Sequence, residues 1–89
     1  GKLPGELISS TYKLEYGDNT LCIQKESIEN YQSFEIIDDL LATGGTAACV
    51  EQMLLNQGKE VRGLSVVVEL KELKGQMKLN CIVNSQLVL

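Results

Sequence analysis

The stretch Phe34 to Thr46, FEIIDDLLATGGT, holds the densest set of side chains that could do chemistry. Two adjacent carboxylates, Asp38 and Asp39, are followed within a few residues by Ala42, Thr43, Gly44, Gly45 and Thr46. The run Phe34 to Ile37 predicts a short buried strand, and a helix-forming run follows from Thr46. A loop between a strand and a helix N-terminus concentrates backbone amides that have no internal acceptor, and these converge on one point as an anion site. Gly44 and Gly45 let the backbone approach a ligand closely or take positive φ, and Thr43 and Thr46 can add hydroxyl donors. The pattern is neither GxGxxG nor GxxxxGK[ST], because no lysine stands at the required place.

Two acids beside an anion cradle would repel a bare phosphate. They become useful if the ligand carries ribose hydroxyls, or arrives with a divalent cation that reverses the sign of the interaction. A sugar phosphate with Mg²⁺ meets both conditions. The bland alternative is a solvated Asp-Asp pair beside an ordinary Gly-Gly turn. The coincidence of strand, acids, small-residue loop and helix start in one register favours a ligand.

The elements that would position this stretch read as follows. Gly1 to Gly5 is a loop, with two glycines bracketing Leu3-Pro4. Ser9 to Tyr16 alternates as a strand, with Tyr12, Leu14 and Tyr16 on one face and Lys13 and Glu15 on the other. Gly17-Asp18-Asn19 is a turn signal, and Thr20 to Gln24 returns as the second strand of a hairpin. Lys25 to Ser33 is a short helical turn or loop anchored by Ile28. Phe34 to Ile37 suits a parallel sheet covered on both faces. Thr46 to Gln57 places Ala47, Val50, Met53 and Leu54 on one helical face, with Glu51 and Gln52 elsewhere, and Gly58 supplies the stop. Val61 to Leu70 is a second buried strand, completing a βαβ unit with the ligand loop at the carboxyl end of its first strand. Cys81 to Val83 and Gln86 to Leu89 are strand-like pieces broken by Asn84-Ser85.

Composition narrows the function classes. The 89 residues allow one small domain, and 44% hydrophobic with 22% charged is a globular balance. Eight basic against 12 acidic residues, net −4, leaves no footprint for a nucleic acid polymer, so a nucleotide-sized ligand is the better expectation. Cys22, Cys49 and Cys81 make an odd count without metal-ligand spacing, which suits free thiols in a reducing compartment, with Cys49 buried in the helix. No apolar run is long enough to span a bilayer and no signal peptide is visible, so no membrane partner and a cytoplasmic protein are expected.

IIDDLLATGGTA resembles the phosphoribosyl-diphosphate loop of the type I phosphoribosyltransferases. Further matches occur in the order that family shows: GKLPG at Gly1 to Gly5, YKLEYG at Tyr12 to Gly17, and VELKELKG at Val68 to Gly75. The loop alone specifies the superfamily, and the three flanking motifs specify its adenine branch. Gln76 and Met77 depart from the basic-then-acidic pair usual after that last glycine. Members are roughly twice this length, so the resemblance implies the C-terminal half of a single catalytic domain, incomplete by itself.

The resemblance implies an α/β fold, part of an open parallel sheet with an antiparallel hairpin flap. Residues 1–8 would end the flexible loop that closes over the active site, 9–24 would form the flap hairpin, and 34–70 would be the βαβ unit carrying the phosphoribosyl loop. The implied reaction transfers the 5-phosphoribosyl group from phosphoribosyl diphosphate to adenine, giving AMP and diphosphate in purine salvage, with Mg²⁺ and as a homodimer. Ala42, Thr43, Gly44, Gly45 and Thr46 would hold the 5′-phosphate. Asp38 and Asp39 would take the ribose hydroxyls directly, or through water or Mg²⁺, with no direct side-chain metal ligand assigned. Glu15 would protonate the purine ring nitrogen, a task suited to a carboxyl of raised pKa. Tyr16 would stand by the flap, Lys2 would reach the diphosphate, and Leu70 would lie against the adenine ring. The competing reading is a non-catalytic module of the same fold that binds AMP or another phosphoribosyl compound.

Overall fold

The computed structural model describes residues 6–14 and 17–89. The hairpin comes first: β1 (Leu7–Leu14) pairs antiparallel with β2 (Gly17–Gln24), in register from Leu7 opposite Gln24 to Leu14 opposite Gly17. The expected turn at Gly17 to Asn19 is therefore not a turn. Gly17 opens β2 at φ +137°, and Asp18 and Asn19 are already paired with Lys13 and Tyr12. One hairpin face carries the half-buried Ile8, Ser10, Tyr12, Leu21 and Ile23. The other carries a hydroxyl pair, Thr11 to Thr20 at 3.1 Å, as strand alternation dictates. A single helical turn, α1 (Lys25–Ile28), follows, with Ile28 buried as its anchor.

The remaining elements are β3 (Ser33–Leu41), α2 (Gly45–Asn56), β4 (Glu60–Glu69), two 3-10 turns (Lys71–Leu73 and Gly75–Lys78) and β5 (Ile82–Val88). The strands form a parallel sheet ordered β3-β4-β5, and α2 connects β3 to β4. This is the expected βαβ unit. β5 runs unbroken through Asn84 and Ser85, which pair with Ser65 and Val66 instead of interrupting the strand. An edge strand tolerates polar residues, and the Ser85 hydroxyl has a buried carboxylate to donate to, Glu69, at 2.6 Å.

The helix α2 lies between the hairpin and the sheet. Leu41, Ala47, Leu64 and Val66 form the buried cluster, with Ile36, Leu79, Cys81 and Val83 packed against it. Gly58, at φ +76°, ends the helix by donating its amide to the Leu55 carbonyl. Glu51, expected off the apolar face of α2, is nevertheless buried: it is 3% exposed, and its carboxylate accepts the Asn80 amide at 3.0 and 3.2 Å. One expectation is corrected here. β3 is longer than predicted and is not covered on both faces. Among the described residues α2 shields one face only, which leaves Ile37 79% exposed and Val67 and Ile82 open beside it.

Candidate functional site

Strand β3 does not stop at Ile37. Asp38 and Asp39 extend it, paired alongside Val66 and its neighbours, so the two acids sit on the carboxyl end of a strand and not in a loop. Both are exposed, and the Asp39 amide donates to Asp38 Oδ1 at 2.8 Å, which fixes the orientation of the first carboxylate. Leu41 then ties the strand end down: it is 2% exposed, and its carbonyl accepts the Leu70 amide at 2.9 Å. The ends of β3 and β4 are thereby held side by side.

Ala42, Thr43 and Gly44 turn the chain into α2. Gly44 precedes the helix in the left-handed region (φ +86°, ψ 0°), a conformation that favours glycine. The first helical bond runs from the Ala48 amide to the Gly44 carbonyl at 2.9 Å. The amides of Gly45, Thr46 and Ala47 precede that bond, no side chain among the described residues caps them, and no acid occupies the first turn. They line a recess of about 260 Å³ whose walls run continuously from Asp38 to Ala47. The recess thus brings the helix start, with the positive end of its dipole, and two carboxylates into one lining. The arrangement accepts an anion with hydroxyls beside it.

Every expected residue from Asp38 to Thr46 is thus brought together. Leu70, half-buried, joins the same end of the sheet through its bond to Leu41. Lys2, Glu15 and Tyr16 lie outside the described residues. Among the described residues no cluster of three or more His, Cys, Asp or Glu could hold a metal ion by itself.

Three further residues shape the recess. Tyr12, from the hairpin, receives the Thr46 hydroxyl at 3.0 Å and the Asn19 amide at 3.2 Å, and its ring lies beside Gly45. Gly75 is buried against the loop: a Cβ on Gly44 would meet the Gly75 carbonyl oxygen at 2.5 Å, and a Cβ on Gly75 would meet the Ala42 carbonyl oxygen at 2.5 Å. Glu69, 5% exposed, accepts the Gln76 side-chain amide with both oxygens at 2.8 Å. In the sequence Tyr12 reads only as a strand face and Gly75 only as part of a motif. A contact across more than thirty positions leaves no local periodicity to read.

No family model matches the chain. Among curated proteins, the adenine phosphoribosyltransferase of Prochlorococcus marinus (strain MIT 9211) is 62% identical over 88 residues, which is 99% of this chain and 51% of that protein. Among solved structures, adenine phosphoribosyltransferase from Saccharomyces cerevisiae, complexed with an imino-altritol bisphosphate and adenine, superposes with a TM-score of 0.87 at 40% identity, over 97% of this chain and 49% of that one. The Thermoanaerobacter pseudethanolicus enzyme gives 0.88 at 38% identity, over 100% of this chain and 52% of that one. The fold is that of the type I phosphoribosyltransferases. Within that class the chain is homologous, over nearly its whole length, to the adenine phosphoribosyltransferases. It spans about half the length of the curated relatives it matches.

Proposed function

We propose that the protein carrying this chain is an adenine phosphoribosyltransferase, and that this chain supplies its ribose 5-phosphate site. The observation that carries the reading is the recess itself, lined both by Asp38 and Asp39 and by the start of α2, Gly45 to Ala47, whose amides no described side chain caps. The 5′-phosphate settles on those amides and on the hydroxyls of Thr43 and Thr46, where the helix dipole favours negative charge. The carboxylates of Asp38 and Asp39 accept the ribose hydroxyls. Fixed at both ends, the sugar presents C1′ to adenine as the bond to diphosphate breaks, giving AMP and diphosphate. The acids beneath the ring favour positive charge developing at C1′. Leu70 offers an apolar wall to the base.

Asp38 and Asp39, both exposed on the rim, fit a hydrated Mg²⁺ that arrives with the substrate. Such an ion, when bound, offsets charge on the departing diphosphate. Glu15, Tyr16 and Lys2 enter this reading through the motifs YKLEYG and GKLPG, as proton donor, flap residue and diphosphate contact. Cys22, Cys49 and Cys81 are all free thiols, which supports a reducing, cytoplasmic setting. No helix of the described residues is long and apolar enough to cross a membrane. Homodimerisation belongs to the same proposal.

The test is AMP formation from adenine, phosphoribosyl diphosphate and Mg²⁺ by the protein carrying this chain. The double substitution Asp38→Asn with Asp39→Asn should lower kcat/KM by about 100-fold or more while circular dichroism stays unchanged. Undiminished AMP formation would remove the role given to the acids, and ligand binding without turnover in the unmodified protein would favour the non-catalytic module.

A further inference from the structure

The buried Glu69 carboxylate has no cation among its partners in the described residues. Gln76 Nε2 donates to both of its oxygens at 2.8 Å, and the Ser85 hydroxyl donates to Oε1 at 2.6 Å. A buried carboxylate is expensive unless neighbouring donors satisfy it, and hydrogen bonds to an ionised acceptor are among the stronger ones. The pairing is therefore a firm anchor. What it anchors matters. Glu69 ends β4 opposite Leu41, and Gln76 directly follows Gly75, whose main chain rests on Gly44 and on the Ala42 carbonyl. The chain leaves the sheet at Leu70 and rounds Lys74 at φ +54°. It returns to the sheet end through the Gln76 side chain.

We infer that Glu69 and Gln76 are positioning residues for the phosphate site: their contact presses Gly75 against the Ala42 to Gly44 turn and so sets the direction of the amides that follow. This rests on the functional reading above but concerns side chains that touch no substrate. Gln76 itself is exposed, so the contact is not explained as core filling. A neutral amide serves here because its two protons and the carboxylate's lone pairs match without adding charge near the phosphate.

The experiment uses the full chain, with ribose 5-phosphate as probe and NMR as readout. Gln76→Glu sets two carboxylates against each other and should weaken ribose 5-phosphate about tenfold. It should also speed hydrogen exchange at the Ala48 and Leu70 amides, whose acceptors are Gly44 and Leu41, without changing the Val66 amide in the sheet centre. Reversing the pair, Glu69→Gln with Gln76→Glu, should restore both properties. Gln76→Ala, at an exposed position, gives a milder loss and keeps the test available if the reversed pair does not fold. Wild-type affinity and exchange in Gln76→Glu and Gln76→Ala, or a folded reversed pair that restores neither, would overturn the inference. If the unmodified chain takes no ribose 5-phosphate, the functional reading fails instead, and the exchange rates, which need no ligand, still decide the positioning role.

Discussion

Gly44 carries two separate demands, and each would be broken by one methyl group. Its φ of +86° is a conformation that costs an L-residue about 1–2 kcal/mol. Its missing Cβ leaves room for the Gly75 carbonyl oxygen, which a side chain would meet at 2.5 Å. Gly44→Ala should therefore destabilise the chain by about 2–4 kcal/mol, read as a lower urea midpoint at constant slope. Gly45 faces no such contact, since its nearest foreign atom would be the Tyr12 ring at 3.7 Å, so Gly45→Ala should cost far less. Equal losses at both positions would show that loop flexibility, not the Gly44–Gly75 approach, is what the glycines provide. The sequence made the Gly-Gly pair visible but not this division of labour. Glu51 and Glu69 were hidden for the same reason, because a buried acid looks like a solvated one until its partners, Asn80 and Gln76, are brought beside it.

Strands and helix were legible where periodicity was strong and blurred where polar residues interrupt it. The Asn84-Ser85 pair looks like a break, yet β5 continues because its hydrogen bonds to β4 are made by the backbone, which is indifferent to those side chains. The short turn region before β5 also holds a titration. Cys81 lies beside the Glu51 carboxylate, and its thiol is pushed up from the usual 9 to about 11, first by burial and then by the hydrogen bond and charge of Glu51. The folded chain thus keeps this proton where the unfolded chain has lost it. The stabilisation is complete below about pH 9 and is lost as pH rises towards about 11. Iodoacetamide at pH 8.5 should label the exposed Cys22 well before Cys81, and Glu51→Gln should narrow the gap. Equal labelling in the unmodified chain would remove Glu51 from the environment of the thiol.

The molecule taken whole is half-clad. Among the described residues one sheet face rests on α2, whereas Ile37, Val67 and Ile82 stand open on the other, so the expected cover on both sides is not supplied by them. Apolar strand residues announce a covering layer but do not say which residues supply it. Ile37 is 79% exposed and Val67 51%, so Ile37→Thr should change the stability by less than about 0.5 kcal/mol and Val67→Thr by less than about 1 kcal/mol. They should also reduce binding of an apolar dye such as anilinonaphthalene sulfonate. A loss of several kcal/mol would mean that the face is covered within the chain itself. At the carboxyl end of the sheet, the proposed function puts a ribose 5-phosphate across the Asp38 to Ala47 recess. An NMR titration of the full chain with ribose 5-phosphate tests it most directly. Saturable shifts should centre on the Gly44, Gly45, Thr46 and Ala47 amides and be absent with ribose alone. Shifts confined to the hairpin, to β5 or to the open sheet face, with those four amides silent, would contradict it.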